Sequence, residues 1–88
     1  MEIVFLPKSQ EQLDYFKKTN NQIVLKKARQ FLEAIIANPF LGIGKPEALK
    51  HNLAGLWSRR INKEHRLVYE VLEDENIILV HSLKGHYL

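Results

Sequence analysis

Glu47 stands between Lys45 and Lys50, Arg66 lies at the start of the apolar-rich run Arg66 to Leu72, and His86-Tyr87 comes one residue before the end of the chain. A carboxylate, a set of cations and a histidine are thus supplied from three separate segments. These groups suit cleavage of a phosphodiester in RNA by its own 2′-hydroxyl, with no metal required. That reaction needs a base for the hydroxyl, an acid for the leaving 5′-oxygen, and positive charge for the phosphorane. Glu47 can serve as the base and His86, whose imidazole can carry and release a proton, as the acid. Arg66 cannot lose its charge and is the natural phosphate clamp. Tyr87 can stack on a base or bond a phosphate.

Each residue also has an ordinary explanation. A glutamate among lysines is commonly just solvated. Arg66 can pair with Glu64 or Glu70. A histidine near a terminus is commonly idle. Arg59-Arg60 reads as surface charge, and in a strand only one of the two can share the face of Arg66. Trp57 fits a core position better than a base-stacking platform. The four histidines (His51, His65, His81 and His86) show no zinc-site spacing, so no metal and no cofactor is expected. A phosphate-binding glycine loop and a Gly-x-Ser-x-Gly elbow are both missing from the sequence.

Composition bounds the class. Eighty-eight residues suffice for one domain, expected to span 1–88. With 45% hydrophobic and 26% charged residues, the balance is that of a soluble globular protein rather than a disordered or membrane chain. There is no apolar run long enough for a membrane span and no signal-peptide pattern, so a cytoplasmic location is expected. Cysteine is absent, which excludes disulfides and thiol catalysis. The net charge of +3 is unevenly placed: residues 45–66 hold six Lys/Arg against two Asp/Glu, whereas residues 67–88 hold one against four. A concentrated positive middle third favours a polyanionic partner such as RNA.

The elements that must position these groups follow from periodicity. Met1 to Phe5 reads as a strand ended by Pro7. Ser9 looks like an N-cap with Gln12 at the capping-box spacing, and a short helix with Leu13 and Phe16 inside follows. Val24, Ala28, Phe31, Leu32 and Ile35 recur at spacings of three and four, the stripe of a second helix that Asn38-Pro39 stops. Leu56 to Ile61, His65 to Leu72 and Ile77 to Leu83 read as three strands joined by short turns, an antiparallel meander. The order β-α-α-β-β-β predicts an α+β fold, an antiparallel sheet covered on one face by a helical hairpin, with Arg66 on the open face.

Pro39-Phe40-Leu41-Gly42-Ile43-Gly44-Lys45-Pro46-Glu47-Ala48-Leu49-Lys50-His51-Asn52-Leu53, Trp57-Ser58-Arg59-Arg60-Ile61 and Glu64-His65-Arg66-Leu67-Val68-Tyr69, together with the closing His86-Tyr87, resemble the YoeB (Txe) toxins of the RelE-like superfamily. The resemblance runs nearly end to end. It implies a toxin of a bacterial toxin–antitoxin system, an endoribonuclease (mRNA interferase) that cuts message in the ribosomal A site and inhibits translation. By the same resemblance Glu47 matches the general base, Arg66 the phosphate-stabilising arginine and His86 the general acid. Lys50, Arg59 and Tyr87 match supporting positions that contact RNA or orient the phosphate. The implied partners are a cognate antitoxin, the ribosome and mRNA, operator DNA only through the antitoxin complex, and a second copy in a homodimer. Ala48 stands where the family often has proline, and Leu88 extends past the usual terminal tyrosine. Two alternatives stand beside this: a basic surface, residues 45–66, that blocks translation without cutting, and the gyrase poisoning found elsewhere in the superfamily, against which Glu47, Arg66 and His86-Tyr87 argue because a gyrase poison needs no RNA-cutting groups.

Overall fold

The computed structural model describes residues 1–86. Strand β1 (Glu2–Phe5) leads directly into helix α1 (Pro7–Lys18), with Pro7 in the first turn, where its missing N–H costs nothing. The expected cap at Ser9 is not formed: Leu6 holds the N-cap position without a side-chain bond. Ser9 is fully buried instead, its Oγ 2.9 Å from the Leu6 carbonyl oxygen and 2.8 Å from that of Val80. Its one proton is shared between them, and the hydroxyl ties α1 to the sheet. Gln12, expected to close a capping box, reaches the far end of the chain instead. In both cases a tertiary partner outcompetes the local cap.

Helix α2 (Gln22–Ala37) is capped by Asn21, whose side chain accepts the Val24 N–H at 3.2 Å. Val24, Ala28, Phe31 and Ile35 are its buried residues, as the spacing predicts, and Leu32, the fifth of the stripe, is only half-buried against the core. The two helices cover one face of a sheet made of β1, β2 (Glu47–Ala48), β3 (Leu56–Arg60), β4 (Arg66–Leu72) and β5 (Ile77–Ser82). Phe16, Phe31 and Ile35 pack there against Leu67, Tyr69, Ile78 and Val80. These four strand residues form the inner face.

The strand order is β1-β5-β4-β3-β2. The meander β3-β4-β5 is antiparallel as expected, and the two-residue β2 adds an edge strand that periodicity did not show. The sheet as a whole is mixed, which corrects the antiparallel expectation. β1 runs parallel to β5, with Glu2 opposite Ile77 and Phe5 opposite Val80. The helical hairpin carries the chain from one edge of the sheet to the other. Three reversals then bring β5 back beside β1 in the same direction. Among the described residues, no helix is long and apolar enough to cross a membrane.

Candidate functional site

Cross-strand partners share a face, so the register of β3 on β4 decides which side chains meet on the side of the sheet away from the helices. Arg60 stands opposite Arg66, Ser58 opposite Val68, and Glu47 opposite Ser58. A cleft of about 370 Å³ results, lined by Lys45, Pro46, Glu47, Ser58, Arg60 and Arg66. The structure therefore brings Glu47 and Arg66 together. It adds Lys45, noted in the sequence only as a neighbour of Glu47, and Arg60, which the sequence did not separate from Arg59. The signal for Arg60 was present: one of the two neighbouring arginines had to share the face of Arg66. Like charges directly opposite each other destabilise a sheet. Two such arginines flanked by a lysine make a standing site for an anion, with one carboxylate at its edge.

Arg59 is the other member of that pair, and its assignment as an RNA contact is corrected. It is 0% exposed and points inward, opposite Leu67. Nε donates to the Tyr69 hydroxyl (3.1 Å), Nη1 to the Ile43 carbonyl (3.0 Å), and Nη2 to the carbonyls of Asn38 (2.9 Å) and Leu41 (3.0 Å). The guanidinium also lies 5.8 Å from the centre of the Tyr69 ring. The Tyr69 hydroxyl in turn donates to Pro39 O at 2.6 Å. Burial pushes this hydroxyl above the usual phenol range, against the opposing hydrogen bond and charge of Arg59. A buried arginine with four donors engaged cannot reach a phosphate. It gathers the carbonyls of the loop between α2 and β2 into a fixed shape.

That loop delivers the carboxylate. Gly44 has φ +84°, and a Cβ added to it would lie 2.8 Å from Phe31 Cζ, so the chain passes against α2 where only glycine fits. The Gly44 carbonyl accepts the Arg60 N–H at 2.7 Å. Lys45 follows at φ +53°, an uncommon conformation for a residue with a side chain, and Pro46 then leads into Glu47. Phe40 in the same loop packs on Trp57, ring centres 5.0 Å apart, so Trp57 serves packing as expected.

Arg66 forms no ion pair among the described residues, so the expected alternative of Glu64 or Glu70 is not realised. Glu70 instead meets His81 at 3.0 Å. Arg66 Nη1 donates to the carbonyls of Asn62 (2.9 Å) and His65 (3.3 Å), which aims the side chain; Nε and Nη2 have no partner among the described residues. Lys50 is exposed, precedes the turn His51–Leu53, and does not line the cleft. His86 is exposed and also outside the cleft lining. It follows Gly85, whose carbonyl accepts the Arg66 backbone N–H at 2.8 Å. Tyr87 lies outside the described residues. Among the described residues, no three His, Asp or Glu side chains converge as a metal site would need.

Residues 5–87 match the family described as YoeB-like toxin of bacterial type II toxin–antitoxin system. The protein called toxin YoeB from Synechocystis sp. (strain ATCC 27184 / PCC 6803 / Kazusa) is 45% identical, over 99% of this chain and 98% of its own length. The solved YoeB dimer from Staphylococcus aureus is 48% identical with a TM-score of 0.88, covering 99% of this chain and 98% of that one. A heterotetrameric YoeB–YefM toxin–antitoxin complex from Staphylococcus aureus matches at 46% identity with the same TM-score and coverage.

Proposed function

The chain belongs to the YoeB-like toxins of bacterial type II toxin–antitoxin systems, and on that premise we propose that it is a ribosome-dependent endoribonuclease that cuts mRNA in the A site. The observation that carries this reading is the pairing of Arg60 with Arg66 across β3 and β4, in one cleft with Lys45 and Glu47. A phosphodiester bound there places its anionic oxygens against the two guanidinium groups. Glu47 removes the 2′-hydroxyl proton as the oxygen attacks phosphorus. Arg66 and Arg60 hold the added charge of the phosphorane, which is stronger stabilisation in the transition state than in the ground state. His86 gives its proton to the departing 5′-oxygen. The products are a 2′,3′-cyclic phosphate and a 5′-hydroxyl, and no step calls for a metal. Lys50 and Tyr87 are the supporting RNA contacts of this reading.

Partnership with a YefM-like antitoxin and assembly as a homodimer belong to the same proposal. They are supported by the relatives whose structures hold those assemblies.

The test is a reconstituted translation system with message ends mapped by primer extension. Wild type is expected to cut only with ribosomes present and to leave a cyclic phosphate. Glu47→Ala and His86→Ala should each lose about 100- to 10,000-fold in rate while still binding ribosomes. Arrested translation with intact message would replace this reading with that of a non-cutting blocker.

A further inference from the structure

The C-terminal arm that carries His86 is fastened in an unusual way. Beyond the end of β5, three consecutive backbone N–H groups are each taken by a side chain. Gln12 Oε1 on α1 accepts from Leu83 (2.8 Å) and Lys84 (3.2 Å), and His65 Nδ1 accepts from Gly85 (2.9 Å). Gly85 is also gripped through its carbonyl by the Arg66 N–H at 2.8 Å. It turns the chain at φ +82° immediately before His86.

His65 is built into this position. The side chain is 8% exposed and its ring meets the edge of Phe16, ring centres 5.1 Å apart at 76°. Its backbone is bound on both sides: Asn62 Oδ1 accepts the His65 N–H at 2.7 Å, and the His65 carbonyl accepts the Ile61 N–H at 3.1 Å. A backbone N–H can only donate, so Nδ1 must present its lone pair to Gly85. The ring proton is then on Nε2, which faces the exposed Glu64 carboxylate at 3.7 Å, too far for a hydrogen bond. The other polar and charged groups around the ring are Lys84 on the arm, Tyr15 on α1, and Thr19, Asn20 and Asn21 at the junction of the helices. Arg66 Nη1 lies on the His65 carbonyl. The side-chain acceptor for the Gly85 N–H is His65 Nδ1.

We propose that His65, in its neutral Nε2–H form, is a positioning residue that locks Gly85 and so sets where His86 stands relative to Arg66. The proposal rests on the reading of His86 as general acid. His65 touches no substrate; it acts through the arm. Losing its acceptor leaves Gly85 held by one bond instead of two and lets the imidazole of His86 drift from the leaving oxygen.

The test uses the full-length protein. Nitrogen NMR of the wild-type ring should show Nδ1 unprotonated and Nε2 protonated, with the Gly85 amide protected from hydrogen exchange. In ribosome-programmed cleavage, His65→Leu should lower kcat about 10- to 100-fold with KM unchanged. His65→Asn, whose amide oxygen falls near the Nδ1 position, should recover most of that loss. In a His86→Ala background His65→Leu should cost nothing further, because the two residues act as one unit. A protonated Nδ1, an Asn variant no better than Leu, or an equal fold-loss in both backgrounds would each overturn the proposal. Should His65→Leu fail to fold, the Asn variant and the wild-type ring decide the matter. Should the wild type cut no message, the endoribonuclease reading falls, and the ring and the Gly85 amide still decide the clamp.

Discussion

Two segments frame Arg66, and they are held by opposite chemistry. The loop before β2, which delivers Glu47, turns its carbonyls inward, and a buried cation collects them: Arg59 serves Asn38, Leu41 and Ile43. The arm after β5, which delivers His86, turns its N–H groups inward, and neutral acceptors collect them: Gln12 and His65. The first anchor is always charged and sits inside the core. The second is made of two neutral groups, the half-buried Gln12 and the buried His65, and its bond to Gly85 needs the lone pair of an imidazole nitrogen. On the proposed roles, the base side of the site is tied into the folding unit, whereas on the acid side only Leu83 reaches the core, and the expected behaviour of the arm beyond it is to open while the domain stays folded. Local opening of this kind is expected where backbone bonds are few and peripheral.

The sharpest way to break the comparison is Arg59→Met. It removes the buried fork, leaves the carbonyls of Asn38, Leu41 and Ile43 without their donor, and takes the Nε–H away from the Tyr69 hydroxyl. The expected loss is about 3 to 5 kcal/mol of global stability, read as a fall in the urea midpoint. Arg59→Lys should rescue little, since an ammonium cannot reproduce the planar fork. A stable Arg59→Met variant with a selectively lowered cleavage rate would show that the loop is as detachable as the arm.

The neighbouring Tyr69 tests the same wall more gently. Its hydroxyl links Arg59 Nε to the Pro39 carbonyl. Tyr69→Phe should cost about 1 to 2 kcal/mol. Burial raises the Tyr69 pKa in the folded state, so its linkage sign is fixed. Below the phenol pKa of the unfolded chain, near ~10, both states are protonated and the contribution is constant. Above it the unfolded chain releases the proton first and binds fewer protons, so stability falls with rising pH until the folded-state pKa is passed. Wild type should lose stability through this alkaline window, and Tyr69→Phe should lose measurably less. Parallel alkaline profiles for the two proteins would overturn the upward shift that burial gives this hydroxyl.

How far these two walls can be read from the sequence differs for a physical reason. Val24, Ala28, Phe31 and Ile35 announce α2 because one helical face buries them all, and β3 to β5 emerge from alternation between short turns. Alternation also says that Arg59 and Arg60 face opposite ways. It does not say which faces the helices, since that depends on the register against β4, where Leu67 is inner and Arg66 outer. The resemblance pointed to Arg59, and the register puts Arg60 in the cleft instead. Ser9 and Gln12 mislead for a related reason: both have local capping geometry available, and both are claimed by carbonyls or amides 71 positions or more away in sequence. The direction of β1 is likewise a long-range pairing that no local pattern carries. His65 was legible only as one histidine among four, because its importance lies in one lone pair aimed at a glycine twenty residues on.

The smallest expected effect on stability is also the most informative about the arm. Gln12→Ala removes one acceptor that serves two N–H groups, and that of Lys84 is exposed enough for water to take its place. The cost should be about 0.5 to 1 kcal/mol, less than for Tyr69→Phe. Hydrogen exchange should speed up at Leu83 and Lys84. The Gly85 amide should stay protected, because its acceptor is His65 and its carbonyl is still paired with Arg66. If the arm is a fixture on a finished domain, cleavage should slow in proportion to that added exchange while the urea midpoint barely moves. A midpoint that falls as far as it does for Tyr69→Phe would place the arm inside the cooperative unit. The contrast between a cation-held loop and an acceptor-held arm would then describe their bonding and not their independence.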